Sequence, residues 1–217
     1  MFAVMFWHDC PLASVVVCSP VVMRSDGLTA CVFSGGASER MGRDKALLSH
    51  PSGGLWLPTL VDHLRALQLP VLVVSRHQSH QALLHGRPQV QVMLESPPWQ
   101  GPLRALERVL AVDSGYPLLV APVDMPLLTP AVLQQLIDAW QTDPQRVAVA
   151  DDGERLQPLL GIYPSGAPFQ PLLRQQLQQG DRRWLRWLDQ IPHQTVRLPA
   201  AALRNVNAPA DLAALQA

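Results

Sequence analysis

The sequence predicts an α/β fold with a mostly parallel central sheet and one short antiparallel edge. Three observations carry that expectation. From Thr29 onward, short β-branched or leucine-rich runs alternate with longer segments of helical apolar spacing, the pattern of βαβ units. Most of the runs are apolar throughout, as strands covered on both faces must be. Asp151-Asp152-Gly153 stands between two of the later runs and reads as a tight turn, which brings one antiparallel pair into the sheet.

Taken in order, the first strand is expected at 30–33 and is followed by a glycine-rich loop and the helical Ala46-Leu47-Leu48. Leu57, Leu60, Val61, Leu64 and Leu67 then recur at helical spacing and predict a crossover helix before a strand at 71–74. The next strand is expected at 90–94, and Leu103, Leu106, Val109 and Leu110 mark the helix that leads to a strand at 118–121. Thr129-Pro130 reads as an N-cap with proline at the first helical position. Strands at 147–150 and 159–163 flank the tight turn. Helices at 170–179 and 182–190 and a short terminal one at 209–216 complete the chain. No repeat, low-complexity tract or linker divides it, so 29–217 is expected to be one domain.

The 217 residues, 48% of them hydrophobic, suffice for one buried core. Seventeen Lys plus Arg balance seventeen Asp plus Glu, so no whole-chain field attracts nucleic acid or an anionic membrane, and any phosphate site is built locally. Cys10, Cys18 and Cys31 show neither CxxC spacing nor a disulfide framework, which favours a reducing cytoplasm. The apolar stretch 1–23 is broken by His8, Asp9, Pro11 and Pro20 and has no basic region ahead of it. It makes a poor signal peptide and is short for a membrane span. Residues 1–28 are therefore expected to be an N-terminal extension, either disordered or ahead of a native start at Met23. Trp184 and Trp187, at helical spacing, are expected in the core rather than at a partner surface.

The most informative stretch is Ser34-Gly35-Gly36-Ala37-Ser38-Glu39-Arg40-Met41-Gly42-Arg43-Asp44-Lys45, directly after a strand. Glycines 35, 36 and 42 let backbone amides approach an anion and form the concave nests that hold phosphate. Arg40 and Lys45 add positive charge, and a loop after the first strand of an open α/β sheet sits where nucleotides bind. It is neither a P-loop, since Gly42 is followed by Arg43, nor GxGxxG, since the first glycines are adjacent. A second constellation is Pro122-Val123-Asp124-Met125-Pro126, which puts the Asp124 carboxylate at the sheet's carboxyl edge. A hard oxygen ligand there suits Mg²⁺, held by one or two carboxylates with substrate phosphates and water; the alternative is a helix cap, a role Thr129 fills better.

These residues resemble the molybdenum cofactor guanylyltransferases, Rossmann-like nucleotidyltransferases of three layers whose signature reads roughly LAGGxSxRMGxDKALL. The resemblance implies Mg²⁺-dependent transfer of GMP from GTP to molybdopterin, with pyrophosphate released. It implies a nucleotide site at Phe33, Ser34, Gly35, Gly36 and Gly42, with Lys45 on phosphate and Asp124 on the metal. Lys45, Asp124 and Arg40 are the expected catalytic residues. The family commonly has Leu-Ala where this chain has Phe33-Ser34, an aspartate near the nucleotide where it has Glu95, and a nucleotide-binding asparagine where it has Ser75. Arg104-Ala105 also departs from the family's Ala-Gly. Gln157-Pro158 through Tyr163 and Asn205-Val206-Asn207-Ala208-Pro209-Ala210-Asp211-Leu212 match later family segments. Asn207 reads as a helix cap by its chemistry and as an active-site neighbour by the resemblance. Glu95 reads equally as a solvated strand end. Molybdenum-cofactor biosynthesis proteins and molybdoenzyme chaperones are the partners the resemblance implies. The competing functions are a CTP-dependent cytidylyltransferase or other small-molecule nucleotidyltransferase of the same fold, and a non-catalytic nucleotide- or pterin-binding paralogue.

Overall fold

The computed structural model describes residues 27–36, 41–112 and 115–216. Arg40, Cys10, Cys18 and the expected extension up to residue 26 lie outside them. Seven strands form one sheet: β1 (Thr29–Phe33), β2 (Val71–Ser75), β3 (Val90–Leu94), β4 (Leu118–Pro122), β5 (Val147–Asp151), β6 (Leu156–Tyr163) and β7 (His193–Arg197). The α-helices among the described residues are α1 (Trp56–Ala66), α2 (Gln78–Leu84), α3 (Pro102–Val112), α4 (Pro130–Gln141), α5 (Phe169–Gln178), α6 (Trp184–Leu188) and α7 (Pro209–Gln216). The sheet order is β3-β2-β1-β4-β6-β5-β7.

Strands β1 to β4 pair in parallel, β6 runs antiparallel to both β4 and β5, and β7 returns parallel to β5. The expected antiparallel pairing is present, with β7 added beyond it as the edge strand. Strand β7 was not read from the sequence, because in His193-Gln194-Thr195-Val196-Arg197 only Val196 is buried. Helix α2 was missed for a similar reason: seven residues with no side-chain cap and only His80 and Leu84 buried. Strand β6 begins earlier than expected, passing through Pro158, a residue that ordinarily argues against a strand interior.

The layers follow from period-two alternation in strands covered on both sides. Ala30 and Val32 of β1, Leu119 and Ala121 of β4, and Ala148 and Ala150 of β5 face one core with Leu57, Leu60, Val61 and Leu64 of α1 and Leu133, Leu136 and Ile137 of α4. Cys31, Leu118, Val120, Val147 and Val149 face the other, against Leu103, Leu106 and Leu110 of α3 and Leu173, Trp184 and Trp187 of α5 and α6. The expected core role of Trp184 and Trp187 holds. Trp184 Nε1 donates to Tyr163 Oη at 2.9 Å, Trp187 Nε1 donates to the Phe169 carbonyl at 3.2 Å, and the Tyr163 and Trp187 rings stack. Leu28, assigned to the extension, is fully buried in the first core. Helix α4 starts as expected, with Thr129 Oγ1 accepting from the Val132 amide at 3.3 Å.

A third, smaller cluster joins Met41, Leu48, Trp56 and Val206, with Val123, Leu212 and Leu215 against it. It fastens the end of the glycine-rich loop, the loop after β4 and the C-terminal segment into one unit beside the carboxyl ends of the strands.

Candidate active site

The chain leaves β1 to build β2 and β3 on one side, then crosses to place β4 on the other side of β1. That reversal is the switch point at which open α/β sheets leave a crevice beyond the carboxyl ends of the strands. A cavity of about 340 Å³ occupies it, walled by Phe33 at the end of β1 with Ser34, Gly35 and Gly36 after it, and by Pro122 at the end of β4 with Val123 and Asp124 after it. Its volume is within the usual range of small-ligand sites, about 300–1,000 Å³. Asp44, Lys45, Val74, Glu95, Trp99, Gly101, Pro102, Ala105 and Leu159 complete the lining.

Lys45 sits in a single 3-10 turn, Lys45–Leu47, capped by Asp44, whose Oδ1 accepts from the Ala46 amide at 3.0 Å. Its Nζ donates to Asn207 Oδ1 at 2.7 Å and lies 3.5 Å from Asp124 Oδ2. Three residues distant in sequence thus meet at one ammonium group. The backbone fixes the same junction: the Val206 amide donates to the Asp124 carbonyl at 2.9 Å. The Asp211 carboxylate accepts from the Asn207 and Ala208 amides, each at 2.8 Å, so the start of α7 holds Asn207 in place. Asp124 does not cap α4, since Thr129 does.

Burial dominates the electrostatics of Asp124. Desolvation raises its carboxyl above the ordinary value, and Lys45 and a backbone hydrogen bond only partly oppose it. Its Oδ1 is buried and has no hydrogen-bond partner among the described residues. Such an orphaned hard oxygen, aimed beside a cation at the sheet edge, fits a divalent ion whose other ligands are phosphate oxygens and water. Among the described residues no three His, Cys, Asp or Glu side chains gather into a metal cage.

Glu95 lies across the crevice. It follows β3 while Asp124 follows β4, and β2 and β1 stand between them, a separation of roughly three strand spacings or about 14 Å. Burial raises the Glu95 carboxyl, with Arg108 at 3.6 Å and Arg76 opposing. A Cβ on Gly35 would stand 3.4 Å from Glu95 Oε2 and 3.6 Å from the Arg76 amide, so the loop runs close over the ends of β2 and β3 there. Gly42 differs: it turns with φ +62 and is not part of the cavity wall.

Of the residues expected in the site, the cavity wall contains Phe33, Ser34, Gly35, Gly36, Lys45, Glu95 and Asp124, and Asn207 reaches it through Lys45. Ser75 does not line it. Ser75 is fully buried behind it, its hydroxyl 2.8 Å from His80 Nδ1 and accepting from the His77 amide at 3.0 Å. Sequence reasoning missed Trp99, half exposed on the wall with the Arg76 guanidinium 4.9 Å above its ring. The exposed aromatic in a proline-rich loop between Glu95 and Gly101 was the signal available.

The chain is similar to known proteins over most of its length. The MobA-like NTP transferase domain matches residues 30–194. The "Probable molybdenum cofactor guanylyltransferase" of Rhodopirellula baltica is 39% identical over 191 residues, covering 85% of this chain and 90% of that protein. The molybdenum cofactor guanylyltransferase of Ectopseudomonas mendocina is 31% identical over 90% of this chain and 94% of its own. Among solved structures, molybdopterin-guanine dinucleotide biosynthesis protein A of Archaeoglobus fulgidus aligns with a TM-score of 0.67 at 20% identity, over 86% of this chain and 95% of that one. A nucleotidyl transferase from Methanothermobacter gives 0.69 at 21% identity, over 87% and 95%. With the family model matched over residues 30–194 and relatives 31–39% identical over 85–90% of the chain, the chain belongs to the MobA-like NTP transferase family.

Proposed function

We propose that this protein transfers GMP from GTP to molybdopterin, releasing pyrophosphate, and that 29–217 acts as one nucleotidyltransferase domain. The observation that carries the reading is the meeting of Lys45, Asp124 and Asn207 in the crevice between β1 and β4. The names of its relatives supply the donor and acceptor. Attack by the terminal phosphate of molybdopterin on the α-phosphorus of GTP forms one P–O bond and breaks the bond to pyrophosphate. No protein nucleophile is needed, and catalysis consists of positioning and charge stabilisation.

The loop amides of Gly35 and Gly36 and the Lys45 ammonium would receive phosphate oxygens, with Asn207 and Asp124 fixing the direction of the ammonium. Asp124 Oδ1 would hold Mg²⁺, which would supply charge neutralisation at the phosphates. Glu95, about 14 Å away across the strands, would accept from the base's N–H groups, and Trp99 offers it a flat surface. Arg40 remains a proposed phosphate contact. The acceptor implies delivery by molybdenum-cofactor biosynthesis proteins and hand-on to molybdoenzyme chaperones. A cytoplasmic setting fits these partners, and no described helix is long and apolar enough to cross a membrane.

Calorimetric titration with GTP, CTP and ATP in the presence of Mg²⁺, followed by a molybdopterin transfer assay, tests this. Selective GTP binding and formation of the guanine dinucleotide are expected. Preference for CTP would move the protein to cytidylyl transfer. Binding without transfer would leave a non-catalytic paralogue.

A further inference from the structure

We propose that His80 is a positioning residue for the Lys45 turn, tying the Asp44 carboxylate to the carboxyl ends of β1 and β2. The inference rests on the reading of the Lys45–Asp124 crevice as the nucleotide site.

His80 is fully buried on α2, yet both ring nitrogens have partners. Its Nε2 lies 2.7 Å from Asp44 Oδ2, and its Nδ1 lies 2.8 Å from Ser75 Oγ and 3.3 Å from Ser34 Oγ. The direction of these bonds follows from the donors. The Asp44 carboxylate can only accept, so Nε2–H donates to it. In the neutral ring Nδ1 is then the acceptor, and the Ser75 hydroxyl, which itself accepts from the His77 amide, donates to it. Burial favours this neutral ring, and His77 acts in the same direction, while Asp44 opposes.

The chain of bonds runs from the His77 amide through Ser75 and His80 to Asp44, and it ends one residue from Lys45. Both Asp44 oxygens are engaged, Oδ2 by His80 and Oδ1 by the Ala46 amide at the start of the Lys45 turn. A carboxylate released from His80 would become a rival partner for the neighbouring ammonium, and the turn would lose its tie to β2.

The test is calorimetric GTP titration with Mg²⁺ on wild type, Lys45→Ala, His80→Leu, His80→Gln and the double variant Lys45→Ala/His80→Leu, with melting curves alongside. His80→Leu is expected to weaken GTP binding by about tenfold, as loss of a charge-assisted hydrogen bond does. In the Lys45→Ala background it should add little, because both changes remove the same ammonium placement. His80→Gln, whose amide can donate to Asp44, should recover most of the loss. Losses that multiply in the double variant, or wild-type binding by His80→Leu while Lys45→Ala is impaired, would overturn the positioning role. Unimpaired binding by Lys45→Ala would instead remove the crevice reading, and this inference with it. If His80→Leu does not fold, Asp44→Asn takes its place in the same cycle: a loss absorbed by Lys45→Ala supports the proposal, and a multiplying loss overturns it.

Discussion

Lys45 is the residue at which sequence and geometry meet most directly. Its motif marked it as a phosphate ligand, and its Nζ lies between Asn207 Oδ1 and Asp124 Oδ2. Lys45→Ala should weaken GTP binding and transfer by about tenfold to a hundredfold, the worth of one charge-assisted contact; titration and initial rates read it. Asp124→Asn should abolish Mg²⁺-dependent transfer while the protein still folds. Its pH behaviour has a definite sign. The folded carboxyl is raised above 3.8, so the folded state binds that proton more tightly than the unfolded chain. The stability this provides is full at acid pH and is lost as pH rises through the raised value. In melts without nucleotide, Asp124→Asn should therefore gain on wild type as pH rises from below the ordinary carboxylate range. A constant difference across that range would contradict the assignment. Asp124 and Lys45 were legible because a carboxylate just after an apolar strand and a lysine in a glycine-rich loop are local patterns. His80 was not, since a single histidine in Gln78–Leu84 carries no pattern of its own until the fold brings Asp44, 36 residues away, to its ring.

Elements whose apolar residues repeat on one face were recovered from sequence, and those built mainly from polar residues were not. Helix α1 presents Leu57, Leu60, Val61 and Leu64 to the core, and α4 adds the Thr129 cap and proline at its start. Strand β7 and helix α2 lack such stripes because each packs at an edge and buries only one or two side chains. Pairing with β5 along five residues, not local preference, makes β7 a strand. The cap of α4 permits a clean separation of stability from function. Thr129→Ala removes an acceptor from the Val132 amide and should cost about 1 kcal/mol. Because Thr129 is not in the cavity wall, GTP affinity should be unchanged. Denaturant melts and titration of the same preparation check both halves, and a weaker GTP affinity would mean that α4 communicates with the crevice.

At the scale of the molecule, the two cores hold the sheet and the small cluster around Trp56 and Val206 holds the site. Their buried members differ, with the partly buried Val123 packed against both: Leu136 belongs to the first core, and Met41, Leu48, Trp56 and Val206 form the third cluster. A ligand site at the loop after the first strand was foreseeable from alternating strands and helices, but the approach of Asn207 to Lys45 needed both the C-terminal segment and the loop after β1 to dock on that cluster. Destabilising the core should therefore lower the melting temperature without altering what GTP adds. Leu136→Ala, at a fully buried position, should cost about 2–5 kcal/mol. GTP at a hundred times its dissociation constant should return about 2.7 kcal/mol to any variant whose site is intact, a rise of roughly 5–10 °C for a chain of this size. Scanning calorimetry with and without GTP should give the same increment for wild type and Leu136→Ala, each titrated to the same multiple of its own dissociation constant. At wild-type concentrations of GTP, Leu136→Ala should keep that increment while Lys45→Ala loses about 1.3–2.3 kcal/mol of it. A smaller increment in Leu136→Ala at fixed GTP would mean that the sheet core and the crevice yield together, so that site and core form one cooperative unit rather than two.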